Sequence, residues 1–238
     1  MTIRYMRLEV LSFKWLQHCN FIINNISIPV STTVKLLGIT IDKELKFKLH
    51  TEELSKIASN KTKALFRIRP FLSLKTSKAL FHAYILSTFK YCPLIWMNFI
   101  KGNYARIEKI HHRALCAVFN TSLSFSELLA LEGGVSLHIY FIKNILVEIF
   151  KSLHGLNPTF LSELFIPKCN PYSLRSGHQL ILLPTNTVLF GTRSLGFMGS
   201  LLWNRLPKQI KESTSLSIFK NNLNKLSVKI CYCQICNI

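Results

Sequence analysis

The sequence predicts an α+β chain: mainly α, opened by a small N-terminal antiparallel β-sheet, with a three-helix bundle followed by a helical C-terminal region that includes a short hairpin. Three observations predict it. β-Branched residues crowd the stretch before residue 42, around Asn24-Asn25 and Gly38. Beyond residue 50, apolar residues recur three and four apart, the period of a helix with one buried face. Residues that favour helix N-termini (Thr51, Ser73, Asn103 and Ser136) precede those runs.

Taken in order, 21–29 reads as a hairpin, because Asn24-Asn25 tolerates the positive φ angles of a two-residue turn. Residues 34–41 read as another strand with Gly38 inside it, where glycine marks a bulge or a close backbone approach. A first helix is expected over 51–68. Thr51 is its N-cap, Glu52 and Glu53 offset the helix dipole, and Leu54, Ile57, Ala58, Leu65 and Ile68 form the core stripe. The second starts at Ser73 or Thr76, groups Leu80, Ala83, Tyr84 and Ser87 in one stripe, and is broken by Pro93 near Trp96. The third, capped by Asn103, buries Ile107, Ile110, Ala114, Leu115 and Val118. Short joints let three such helices close into a bundle.

A short helix over 126–131 then ends at Gly133-Gly134. Ser136 caps a long helix, apolar nearly all round through Leu137, Tyr140, Phe141, Ile145, Ile149 and Phe150, a pattern that belongs in a core. It stops at Gly155-Leu156-Asn157-Pro158. A short helix is expected over 159–165, a weak hairpin pairing 180–183 with 187–190, and helices over 196–202 and 216–225. Trp96 and Trp203 read as core anchors. The expected division is 1–47, 48–119 and 120–238.

Charge is the strongest compositional signal. Lys and Arg number 30 against 11 Asp and Glu, a formal net charge of +19. Residues 1–119 carry net +13, 120–170 net −1 and 171–238 net +7. Such an excess suits polyanionic partners, nucleic acid or an anionic surface; the alternative is that it only keeps a chain that is 49% hydrophobic in solution. A membrane span needs about 20 apolar residues, and the best window, 79–100, is interrupted by His82, Lys90 and Pro93. No signal peptide is evident, so the expected compartment is intracellular, cytoplasm or nucleus.

Several chemistries are disfavoured. Two-metal nucleotidyl transfer needs clustered carboxylates, and the chain holds one aspartate, Asp42, and ten scattered glutamates. No catalytic residue and no cofactor is expected on this chain alone. His111-His112 lack a nucleophile partner and read as helix-surface residues facing nucleic acid. Cys231, Cys233 and Cys236 have a spacing suited to zinc, but a closed structural site wants four ligands, and no metal site is assigned; a small zinc module remains the third option. The isolated cysteines read as free thiols.

The string Val34-Lys35-Leu36-Leu37-Gly38-Ile39-Thr40-Ile41-Asp42 and its continuation to His50 resembles the palm-to-thumb segment of reverse transcriptases of LINE-type (jockey-like, non-LTR) retrotransposons. Ile107-Glu108-Lys109-Ile110-His111-His112-Arg113-Ala114-Leu115 is similar to that family's basic helix. Trp203-Asn204-Arg205-Leu206-Pro207-Lys208-Gln209-Ile210, followed by Phe219-Lys220, resembles its closing region. The likeness covers roughly 21–226.

The resemblance implies a palm-edge remnant with a primer-grip-like hairpin over 1–47, Leu37 and Gly38 occupying the grip, then a thumb over 48–119 lying along a template–primer duplex. Fingers, catalytic palm and endonuclease are expected to be missing, and residues 1–20 to leave an exposed hydrophobic edge. The expected function is a fragment of an RNA-directed DNA polymerase, incompetent alone, retaining sequence-independent binding to RNA or an RNA–DNA duplex. The candidate backbone contacts are Lys56, Lys63 and Arg67 on one helix and Arg106, Lys109 and Arg113 on another; Lys and Arg on rigid helices neutralise phosphates without reading bases. The alternative is a structural or interaction protein, or a functionless relic, with no nucleic-acid role.

Overall fold

The computed structural model describes residues 10–11, 21–23, 25–28, 30–97, 100–168, 178–226 and 231. The fold is mainly α with a small antiparallel sheet near the N-terminus. It divides into two compact units, Met1–Cys92 with Lys109–Ser122, and Pro93–Glu108 with Leu123–Ile238. The expected edge of 1–20 lies outside the described residues except at Val10–Leu11, as do Asn24, Cys233 and Cys236.

In the first unit the strands form three two-stranded pairs rather than one sheet. β1 (Val10–Leu11) pairs in parallel with β4 (Val30–Ser31). β2 (Phe21–Ile23) and β3 (Ile26–Ile28) form the expected hairpin, with Asn25 at φ 64° in its turn. The stretch 34–41 is not one strand but a second hairpin. β5 (Thr33–Leu36) and β6 (Ile39–Asp42) pair antiparallel around Leu37-Gly38, whose φ angles are 47° and 83°. Two successive positive φ values give the turn whose twist matches that of the flanking strands.

Helix α1 runs Lys48–Ile68 and begins three residues before the expected Thr51 cap. Asp42 explains the early start: its carboxylate accepts the backbone N–H groups of Glu44 (3.1 Å), Lys46 (3.0 Å) and Phe47. Chain entry is thus fixed ahead of the helix. Glu53, expected in the first turn, instead accepts the Lys35 ammonium (3.0 Å) and the Thr40 hydroxyl (3.2 Å).

The buried face of α1 also differs from the expected stripe. Ala58 and Leu65 are inside, but so are His50, Thr51, Ser55 and Thr62, while Ile57 and Ile68 are exposed. The Thr51 and Thr62 hydroxyls donate to the carbonyls of Phe47 (2.7 Å) and Ala58 (2.8 Å), so burying them leaves no unmet hydrogen bond.

After a 3₁₀ turn, Arg69–Phe71, helix α2 (Leu74–Leu80) starts at Ser73, whose side chain accepts from the Thr76 N–H. It continues as a π-helical segment, Phe81–Leu86, and α3 (Ser87–Lys90). Here Ser77, Phe81, Ile85, Leu86 and Phe89 are buried, not Ala83, Tyr84 and Ser87. In an unbroken α-helix, residues four apart drift about 40° per step. The wider π turn cancels part of that drift and keeps Phe81, Ile85 and Phe89 inward. The Arg69 guanidinium donates to the carbonyls of Val118 (2.7 Å) and Leu72 (2.9 Å), locking the turn after α1.

The second unit follows expectation more closely. After α4 (Pro93–Trp96), helix α5 spans Lys101–Phe119, its residues from Lys109 onward belonging to the first unit; it starts two residues before the expected Asn103 cap, and its five expected inward residues, Ile107 in the second unit and the other four in the first, are all buried. Helix α6 (Phe125–Glu132) opens on a reciprocal cap between Ser124 and Glu127 and closes on Gly133 at φ 75°. Ser136 caps α7 (Leu137–Leu153), which buries nine residues including Phe141, Ile145, Leu146, Ile149 and Phe150, though Ile139 on its outer side is exposed. Then come α8 (Thr159–Ser162), α9 (Leu195–Asn204), α10 (Lys208–Lys211) and α11 (Leu216–Lys225). Phe219 stacks on Phe150 (4.4 Å) and Trp203 (5.9 Å). A Cβ on Gly199 would stand 3.0 Å from both Ile149 and Phe165, which explains a glycine where α9 meets α7.

The expected hairpin of 180–183 with 187–190 does not form. Leu180 bridges Pro167 instead, and Val188–Thr192 is a π turn. The pairing that holds Leu180 comes from a side chain: Asn204 accepts its N–H (2.8 Å) and donates to its carbonyl (2.9 Å). Among the described residues, no single helix is long and apolar enough to cross a membrane; α6 and α7 reach the length together but are bent by 56°.

Candidate nucleic-acid interface

The cations of α1 follow from its buried face. At 100° per residue, Lys56, Lys63 and Arg67 stand about 140–180° from Ala58, diametrically away from the core. All three are exposed, and none makes a hydrogen bond or ion pair among the described residues. They span eleven residues, about 16 Å of helix.

On α5 the expected residues are exposed as well. Lys109 and Arg113 belong to the first unit and stand about 160–200° from the buried His111. Arg106 belongs to the second unit. The first unit thus carries two separate cationic stripes, one per helix. Leu37 and Gly38 are at the tip of the second hairpin, Leu37 being 80% exposed. The hairpin is tied to the helices at its tip, where the Tyr91 hydroxyl donates to the Leu37 carbonyl (2.8 Å). It is tied again at the Lys35–Thr40 pair, by Glu53 and by the Thr40 N–H, which donates to His50 Nδ1 (3.3 Å).

His111 corrects an expectation. It is 3% exposed and stacks on Phe81 with ring centroids 5.7 Å apart, so it faces the core and not a ligand. Burial, reinforced by Lys90, His82 and His112, pushes its pKa down to about 4. Burial also lowers His50. Both imidazoles are therefore neutral packing elements at neutral pH, and the charge of this surface comes from Lys and Arg.

Other participants were not foreseen. Phe71 stands 87% exposed on the turn that Arg69 locks. The ammonium of Lys61 lies 4.5 Å from the Tyr84 ring centroid and donates to Thr88 (2.9 Å); that of Lys78 lies 5.1 Å from the Phe119 ring. One signal could have found this surface: no Asp or Glu occurs between Leu54 and Ile107. Of the acids that precede this run, Asp42 is engaged with backbone and Glu53, on α1, with Lys35.

Among the described residues, no group of three or more His, Cys, Asp or Glu side chains is placed to hold a metal ion. Comparison of the chain with protein-family models, with curated proteins and with solved structures gives no match.

Proposed function

We propose that this chain is the thumb and C-terminal part of a jockey-like non-LTR retrotransposon reverse transcriptase. In this reading its first unit grips the sugar–phosphate backbone of RNA or an RNA–DNA duplex and does not polymerise by itself. The observation that carries the reading is the pairing of an acid-free run, 54–107, with three outward cations on α1, Lys56, Lys63 and Arg67, that no carboxylate neutralises among the described residues. A stripe of about 16 Å matches a length of duplex bearing roughly ten phosphates. Lys109 and Arg113 add to it on α5, and the Leu37-Gly38 tip supplies a backbone contact.

The test is equilibrium binding of the purified chain to an RNA–DNA duplex, read by fluorescence anisotropy from 50 to 200 mM salt. Each phosphate neutralised contributes about −0.9 to the slope of log affinity against log salt. The triple variant Lys56→Gln, Lys63→Gln, Arg67→Gln should flatten that slope by about 3. Absence of binding at low salt, or an unchanged slope in the variant, would overturn the reading. Unaided primer extension by the chain would overturn its non-catalytic part.

A second reading, an interaction protein with no nucleic-acid role, is favoured by the exposed Phe71 and Leu37 in the same unit. It predicts no duplex binding at any salt concentration.

A further inference from the structure

The second unit contains a cavity of 510 Å³ that the proposed grip does not use, bordered by Leu153, His154, Pro167, Leu180, Trp203 and Lys211 among others. Cavities of roughly this size accept small molecules, with apolar walls supplying area and a few polar groups fixing orientation.

The decisive group is Lys211. It is 8% exposed, and its ammonium donates to one backbone carbonyl, that of Asn204, at 3.3 Å. Among the described residues, no carboxylate pairs with it. Glu212, the acid on the cavity wall, lies against Lys208 (3.5 Å) and His178 (3.7 Å). A cation held away from water with only a neutral partner is costly, and a bound anion removes that cost. Burial lowers the Lys211 pKa.

The remaining walls fit an anion with an apolar body. Leu153, Leu180 and Pro167 are the apolar side. His154 Nδ1 is engaged by the Phe150 carbonyl (2.8 Å), and its ring is stacked on Phe150 (3.9 Å), so its orientation is fixed. The Ser213 hydroxyl is committed to the Ile210 carbonyl (2.7 Å) and accepts from Asn222 (3.3 Å), leaving Lys211 as the main charged anchor. Trp203 donates its indole N–H to the His178 carbonyl (2.9 Å), which holds the rim in place.

We propose that this cavity binds a small organic anion, its carboxylate or phosphomonoester group on the Lys211 ammonium and its apolar body against Leu153, Pro167 and Leu180. The site belongs to the second unit and is independent of the nucleic-acid reading.

Calorimetric titration of the full chain with phenyl phosphate, benzoate and benzyl alcohol tests it. These share one ring and differ in headgroup. At least one anion should bind saturably and benzyl alcohol should not; the tighter anion identifies the headgroup. Lys211→Met should weaken binding about ten- to a hundredfold, the worth of one charge-assisted hydrogen bond. Lys208→Met, at a neighbouring exposed cation, should leave it within about twofold, since surface charges contribute little. Acylation of Lys211 in the unaltered chain, followed by mass spectrometry, gives a readout that needs no variant: the bound anion should slow it. Failure of both anions to saturate, equal binding by benzyl alcohol, an unaffected Lys211→Met chain, or Lys211 acylation indifferent to the anion would each overturn the proposal.

Discussion

Replacing His111 by leucine should remove much of the acid sensitivity of the first unit. The imidazole is buried against Phe81 and held near 4, against an ordinary value of 6.5. Between those values the unfolded chain binds a proton that the folded chain refuses, so stability rises with pH. The contribution of His111 is whole above pH 6.5, declines as pH falls, and is lost by about pH 4. It amounts to about 3 kcal/mol over the full range, and about 2 kcal/mol of it is gone by pH 5. His50 acts in the same direction, so some sensitivity survives in the variant.

Both tryptophans among the described residues, Trp96 and Trp203, belong to the second unit, so their fluorescence follows the wrong part of the molecule. Exchange of the backbone amide hydrogens of α1, corrected for intrinsic exchange, reads the first unit directly. His111 should account for about a 30-fold loss of protection between pH 7 and 5, absent in His111→Leu. The substitution roughly conserves volume and should cost under about 1.5 kcal/mol at pH 7. Equal pH dependence in the two chains would refute a neutral, desolvated His111.

Three further outcomes are expected. Asp42→Ala should cost about 1–2 kcal/mol, seen as faster exchange over residues 44–51, because three N–H groups lose their acceptor ahead of α1. Leu37→Asn should stabilise the hairpin by about 0.5–1 kcal/mol in the same measurement, since asparagine tolerates a φ of 47° better than leucine; if duplex binding falls at the same time, the leucine is held in that conformation for contact. Asn204→Leu should cost about 2–3 kcal/mol by urea titration of tryptophan fluorescence, because both polar groups of the buried Leu180 backbone lose their partner.

The helices of the second unit were legible in the sequence because their signals are local. Ser136 and Gly133 act within one turn of the chain, and the helix over 216–225 sits at the bounds expected of it. The first unit was less legible because its determinants are hydroxyls and distant carboxylates. Hydropathy cannot mark Thr51 and Thr62 as inward when their hydrogen bonds return to the preceding turn. Nor does it distinguish Gly38 within one strand from Gly38 between two. The exposed positions of the cations were legible, since Lys56, Lys63 and Arg67 on α1 and Lys109 and Arg113 on α5 each keep to one side of their helix. The inward turn of His111 was not, because a histidine between lysine and arginine reads as polar whichever way it points.

The π-helical segment of Phe81–Leu86 gives the chain an unusual tolerance of length in one direction. It accommodates one residue more than a regular helix would fit in the same rise. Removing a single residue between 82 and 84 would restore ordinary winding and leave the downstream register nearly unchanged, with Phe89 still inward and Tyr91 still at the hairpin tip that it holds. A one-codon insertion there would instead swing everything downstream by about 100° and be felt as far away as Leu37.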